Sequence, residues 1–282
     1  MIPKIIFGPA GRPINFKGPG YKASQYIKNE GLDAYEYQGG RGLKIGEKSA
    51  RILKNNSNEN NVLVSIHAPY FINLSSNKEK IIENSIDILF KAAQVADWMG
   101  AYRIVFHPGY YLKNNNSSFD KVNSLKIAIS TIKKLFEKLD ENNINNFCFA
   151  PETTGKKSQL GNLEEIIAIC NEFDQFKPTI DFAHLYARNE GNIKTKQDFN
   201  SILSKLEDEL NIDRLHCHFT RIEYSKSGEK RHHTLAESNF GLEPELLLKS
   251  LVENDFKATI ICESPLLDED ALILKNIYEN LI

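Results

Sequence analysis

The residues able to do chemistry in this chain recur at the ends of short apolar runs. They stand in Ile66-His67-Ala68-Pro69-Tyr70, Phe106-His107-Pro108-Gly109, Ala150-Pro151-Glu152-Thr153, Ile180-Asp181-Phe182-Ala183-His184, His216-Cys217-His218-Phe219 and Ile261-Cys262-Glu263-Ser264-Pro265. Imidazole nitrogens and carboxylate oxygens are the donor set of zinc, and also of manganese and iron. A single histidine after a strand is ordinarily a hydrogen-bonded residue, and a single glutamate an ion-pair partner. Several gathered in one place would repel one another or lose solvation unless cations compensate. These motifs hold too few lysines and arginines to do so. The chemistry to expect is therefore metal-assisted.

Such residues need a scaffold that brings them together. β-Branched runs at 4–8, 32–37, 62–67, 103–107, 146–152, 178–181, 214–219 and 259–263 read as strands. Amphipathic stretches at 77–99, 120–142, 162–173, 196–210 and 243–254 read as helices, with a closing helix at 268–282. Ile81, Ile82, Ser85, Ile86, Leu89 and Phe90 trace one helical face. Strands alternating with helices predict the α/β class and a (β/α)₈ TIM barrel, in preference to a doubly wound sheet. No linker divides the chain, so residues 1–282 read as a single domain. The Asn/Ser/Lys tracts at 55–61 and 113–118 read as surface loops. In a barrel the C-terminal strand ends converge on one face, which would ring one pocket with His, Asp and Glu.

The 282 residues are 41% hydrophobic and 26% charged, the balance of a soluble globular protein. A net charge of -2 does not advertise a nucleic-acid binder, so an anionic ligand would need local basic residues or bound cations. Cys148, Cys170, Cys217 and Cys262 form no CxxC pair and read as buried free thiols in a reducing compartment. The N-terminal segment lacks the apolar stretch of a signal peptide, and no run approaches ~20 apolar residues. The expectation is a cytoplasmic protein with no membrane contact.

The order and spacing of six segments resemble endonuclease IV (AP endonuclease family 2), within the xylose isomerase-like TIM-barrel superfamily. They are His67-Ala-Pro-Tyr70-Phe-Ile-Asn-Leu74, Phe106-His-Pro-Gly109, Pro151-Glu-Thr-Thr154, Ile180-Asp-Phe-Ala-His184, Arg231-His-His-Thr-Leu235 and Cys262-Glu-Ser-Pro265. The resemblance implies a zinc-dependent apurinic/apyrimidinic endonuclease: a phosphodiesterase of base excision repair that cuts damaged double-stranded DNA 5′ to abasic sites. It implies two to three Zn²⁺ ions, with Mn²⁺ or Fe²⁺ as substitutes. His67, His107 and Glu152 would hold the first. Glu152, Asp181, His218 and Glu263 would hold the second, with Glu152 as the bridging catalytic carboxylate. His184 and His232 would hold the third.

Two segments depart from the family pattern. Lys230 stands where an aspartate ligand is expected, with Glu229 beside it as a further third-ion candidate. Phe7-Gly-Pro-Ala-Gly-Arg12 replaces a histidine-containing segment. His216 shares a strand face with His218 and reads as a buried histidine outside the ligand set. Tyr70, Phe71 and Arg41 match loops that contact DNA in the family, although packing beneath the loop is the alternative for the two rings. A monomer is expected. The rival functions are a sugar isomerase or epimerase using one divalent metal, and a non-catalytic DNA-damage binder.

Overall fold

The computed structural model describes residues 3–115 and 117–282. The strands of the central sheet are β1 (Ile5–Pro9), β2 (Ala34–Gln38), β3 (Leu63–His67), β4 (Ile104–Phe106), β5 (Phe149–Pro151), β6 (Thr179–Asp181), β7 (Leu215–Phe219) and β8 (Ala258–Cys262). Most of their residues are buried on both faces, as parallel strands covered by helices require. They pair as two four-stranded parallel sheets, in the orders β1-β8-β7-β6 and β2-β3-β4-β5. Isolated bridges close the seams, Ala10↔Glu36 on one side and Phe149↔Phe176 with Glu152↔Thr179 on the other. The result is the expected closed barrel. At the first seam the backbones approach so closely that a Cβ on Gly8 would lie 1.9 Å from the Ala34 carbonyl oxygen. Only glycine fits there.

The helices around the barrel are α1 (Ser24–Asn29), α2 (Glu47–Asn60), α3 (Glu79–Met99), α4 (Lys121–Glu141), α5 (Leu163–Glu172), α6 (Phe182–Arg188), α7 (Lys196–Glu209), α8 (Pro244–Glu253) and α9 (Leu267–Glu279). Capping boxes start two of them, Asn162 with Glu165 on α5 and Thr195 with Asp198 on α7. On α3 the buried stripe runs through Ile82, Ser85, Ile86 and Leu89, while Ile81 turns outward.

Three elements differ from the sequence reading. The polar tract at 55–61 is not a loop: its first six residues are the last turns of α2, which buries Ala50, Leu53 and Ser57 along one face. Tertiary packing of that narrow face outweighs the loop-like composition. The tract at 113–118 does join short antiparallel segments, Leu112–Lys113 and Phe119–Asp120, with Asn116 outside the described residues. Secondly, α6 begins directly after β6, so His184 lies on a helix and not on a strand end. Thirdly, an antiparallel hairpin, Arg221–Ser225 with Gly228–His233, follows β7 and carries His232. Cys170, Cys217 and Cys262 are buried and unbridged, and Cys148 is half-buried. Among the described residues, no helix is long and apolar enough to cross a membrane.

Candidate metal centre

The C-terminal ends of the strands open into a cleft of about 290 Å³, lined by Gln38, His67, Tyr70, His107, His184, Glu229, His232 and Glu263 with Ala10 and Leu267. Neither lysine nor arginine occurs in that lining among the described residues. Glu152, Asp181 and His218 lie just beneath and are fully buried.

Most of the donors stand at or next to the end of a barrel strand, whereas His184 lies on α6 and His232 on the hairpin. His67 ends β3 and gives its Nδ1 proton to the Ala68 carbonyl at 2.8 Å. That bond leaves the lone pair of a neutral ring on Nε2, which lies 3.0 Å from Glu152 Oε2. His107 Nε2 reaches the same oxygen, also at 3.0 Å. A lone pair facing a carboxylate oxygen at this distance is repulsive unless a proton or a cation lies between them. Burial alone would lower the His67 pKa, but the hydrogen bond and charge of Glu152 outweigh it and raise it to about 9. Burial likewise favours neutral Glu152, yet the charges of His107 and His218 hold its carboxyl well below the usual range.

Asp181 caps α6, its Oδ1 accepting the His184 amide at 2.7 Å. Its Oδ2 is buried without a hydrogen-bond partner, 3.4 Å from His184 Nδ1 and 3.9 Å from His218 Nδ1. Burial, aided by the charges of Glu263 and Glu152, pushes the Asp181 carboxyl above its ordinary pKa. An unpartnered carboxylate oxygen in such a place is what a cation would satisfy. His218 Nδ1 lies 3.2 Å from Glu152 Oε1 and 3.4 Å from Glu263 Oε1.

His184 donates from Nδ1 to the Thr153 carbonyl at 2.9 Å, and His232 from Nδ1 to the Glu263 carbonyl at 3.3 Å. When neutral, both rings therefore carry the lone pair on Nε2. The Nε2 of His184 lies 3.5 Å from Glu229 Oε2. Glu229 is largely buried; burial would raise its pKa, but the charges of His184, His232 and His107 lower it.

Three candidate sets expected from the sequence converge. Donor atoms of His67, His107 and Glu152 lie within 4.8 Å of one another, as do those of Glu152, Asp181, His218 and Glu263. A third set joins His184 and His232 with Glu263, a carboxylate not expected there. A fourth lies deeper and was not foreseen: Glu36, His216 and His218, all fully buried. Burial would raise the Glu36 pKa, but the charge of His218 and the hydrogen bond and charge of His216 hold it far below the carboxylate range. Glu36 stands between Tyr35 and Tyr37 and belongs to none of the strand-end motifs, so those motifs do not mark it. Its signal was the alternation of β2, which puts it on the face opposite those two rings.

Tyr70 and Phe71 are not packed under their loop: they are 57% and 61% exposed. Arg41 is exposed on the turn after β2, tied to that loop by the Tyr70 amide donating to the Gly40 carbonyl at 3.2 Å. Where this turn crosses the end of β3, a Cβ on Gly39 would lie 2.6 Å from the His67 carbonyl oxygen.

Fold and donor set together define a TIM barrel whose mouth carries histidine and carboxylate clusters spaced to hold metal. The chain belongs to the xylose isomerase-like TIM-barrel family, whose profile matches residues 24–277. An uncharacterized protein of Methanocaldococcus jannaschii is 38% identical over 281 residues, spanning 98% of each chain. A probable endonuclease 4 of Staphylococcus carnosus is 28% identical over 220 residues, 73% of this chain and 68% of that protein. The solved endonuclease IV from Thermus thermophilus superposes with a TM-score of 0.70 at 17% identity, over 95% of this chain and 97% of the other. A D-tagatose 3-epimerase-like protein superposes with a TM-score of 0.67 at 20% identity, over 91% and 90%. At these identities the two structures share the fold.

Proposed function

We propose that this chain is a zinc-dependent endonuclease that hydrolyses the phosphodiester 5′ to abasic sites in damaged duplex DNA, acting as a monomer in the cytoplasm. The observation that carries the reading is the position of Glu152, whose two oxygens belong to two adjacent donor sets. His67 and His107 with Glu152 would hold one cation. Asp181, His218 and Glu263 with Glu152 would hold its neighbour. His184 and His232, with Glu229 or Glu263, would hold a third. Bound divalent ions supply Lewis-acid stabilisation of phosphoryl charge and access to a nucleophile at neutral pH.

The chain's own residues do the rest. Backbone carbonyls lock the rings of His67, His184 and His232 with Nε2 presented. Asp181 is fixed by capping α6. A cleft lined by carboxylates, with no lysine or arginine among the described residues, repels a phosphodiester, so substrate entry depends on the cations these residues would gather. Tyr70 and Phe71 stand exposed at the rim, where a ring could fill the gap left by a missing base. Arg41 would contact the backbone nearby.

The second reading is a one-metal sugar isomerase or epimerase. It is favoured by the completeness of the set Glu152, Asp181, His218 and Glu263, four donors sufficient for a single ion. That reading leaves His67 and His107 without a task. The test is incision of a duplex carrying one abasic site, with and without chelator, alongside zinc per chain. Chelator-sensitive incision with at least two ions per chain supports the endonuclease. One ion per chain and an uncut duplex rule it out.

A further inference from the structure

His218 is set differently from the other anchored histidines of the mouth. His67, His184 and His232 hand their Nδ1 protons to backbone carbonyls and present Nε2. His218 is reversed. Its Nδ1 faces Glu152, Glu263 and Asp181, and its Nε2 lies 3.1 Å from Glu36 Oε1. A carboxylate stands where the other rings have a carbonyl.

Glu36 is fully buried, so each of its four lone-pair sites should meet a donor. Oε2 accepts from the Ser65 hydroxyl at 2.9 Å and from His216 Nε2 at 2.9 Å. Oε1 accepts from the Gln38 amide at 3.1 Å. That leaves one site on Oε1, the oxygen nearest His218. Behind His216, the Tyr102 hydroxyl donates to Nδ1 at 2.6 Å, which fixes the His216 proton on Nε2, toward Glu36. The Tyr102–His216 pair thus donates in one direction and ends on Glu36, whose free site faces His218.

We propose that Glu36 is a positioning carboxylate for the metal centre: backed by Ser65, Gln38 and the Tyr102–His216 pair, it accepts a hydrogen bond from the Nε2–H of His218, holds the proton on that nitrogen and so leaves the Nδ1 lone pair for a cation. This rests on reading His218 as a metal-holding residue. At 3.1 Å the Nε2–H is not yet aimed at Oε1 and makes no hydrogen bond, so a ring rotation completes the contact. A carboxylate behind a ligating histidine fixes its tautomer and raises its basicity. The same three side chains also lie close enough to surround an ion of their own. A neutral imidazole has only one lone pair, however, and an ion on each side of His218 would require removing both ring protons. The relay needs no such step.

The test uses the full chain loaded with zinc and labelled with ¹⁵N-histidine. Long-range ¹H–¹⁵N correlations should place the His218 proton on Nε2, opposite to His67 and His184. Glu36→Gln should weaken the ion held by His218 about 10- to 100-fold in chelator competition, with partial recovery in Glu36→Asp. Should Glu36→Gln fail to fold, Tyr102→Phe removes only the far hydroxyl and should weaken the same ion to a lesser degree. A His218 proton on Nδ1, or affinity in the folded Glu36→Gln within about twofold of the parent, overturns the proposal. Zinc on Nε2 of His218 overturns it in favour of a separate site. A parent chain that binds no zinc overturns the metal reading itself, and this inference with it.

Discussion

Glu229 places Oε2 3.5 Å from Nε2 of His184, although its sequence neighbour Lys230 points to solvent and pairs with Glu223. The hairpin explains how. Tyr224 pairs with Glu229 and Glu223 with Arg231, so Lys230 is the extra residue of a β-bulge. A bulge shifts the alternation of side chains by one. Glu229 and His232, three apart in sequence, therefore face the same cleft, where an unbroken strand would set them on opposite sides.

Glu229→Gln should accordingly weaken the ion assigned to His184 and His232, while Lys230→Ala leaves it unchanged. We expect about tenfold lower affinity for the first variant, near 1.4 kcal/mol. Zinc titration of both variants checks this. Equal effects from the two substitutions would assign the third carboxylate to Glu263 alone.

Glu152→Gln should abolish incision while leaving duplex binding largely intact. Glutamine keeps the shape but removes the charge facing His67, His107 and His218. A loss in kcat of much more than tenfold is expected, because tenfold is only about 1.4 kcal/mol in the barrier. Single-turnover incision together with a binding titration measures it, with circular dichroism as the check on folding.

The metal-free protein should lose stability as pH rises from about 6.5 to about 9. His67 binds a proton more tightly folded than unfolded, with its pKa at about 9 against an ordinary 6.5. Its contribution is complete below the lower value and gone above the higher one. His184 and His218, also raised, act in the same direction. Zinc competes with those protons, so its affinity should rise across the same window. Melting curves of chelated and zinc-loaded protein at several pH values should diverge toward alkaline pH. A chelated Tm that climbs with pH would contradict this.

Replacing Tyr70 and Phe71 together by alanine should weaken binding to abasic duplex more than to intact duplex. Each lost stack costs roughly 1–3 kcal/mol, and an intact duplex offers no gap to fill. Both rings are exposed, so folding and zinc content should not change. Paired titrations at one salt concentration decide it. Equal losses on both duplexes would make the rings general contacts.

Much of this architecture was legible because periodicity and burial agree. The helices α3 and α4 fall within two residues of their expected bounds, since long amphipathic stripes leave little choice. Strand-end motifs announced His67, His107, Glu152, Asp181, His218 and Glu263, which the barrel does bring together. The misses have particular causes. The Asn-rich end of α2 is helical through three buried side chains that composition hides. Glu36 is a polar residue inside a barrel, where its partners come from β3 and β7, remote in sequence. The bulge at Lys230 is a matter of register, and register depends on the partner strand.

The seam between β5 and β6 has one further consequence. There the two half-barrels meet through isolated bridges in place of a continuous ladder, and one bridging residue is Glu152. His67 and His107 belong to one half; Asp181, His218 and Glu263 belong to the other. On the proposed reading, cations on Glu152 act as a clasp across one of the two loosely bridged lines of the wall. Stripping the metal would then be a mechanical event as well as a chemical one. Amide exchange at Glu152 and Thr153 should quicken on chelation well before the ladders within either half respond.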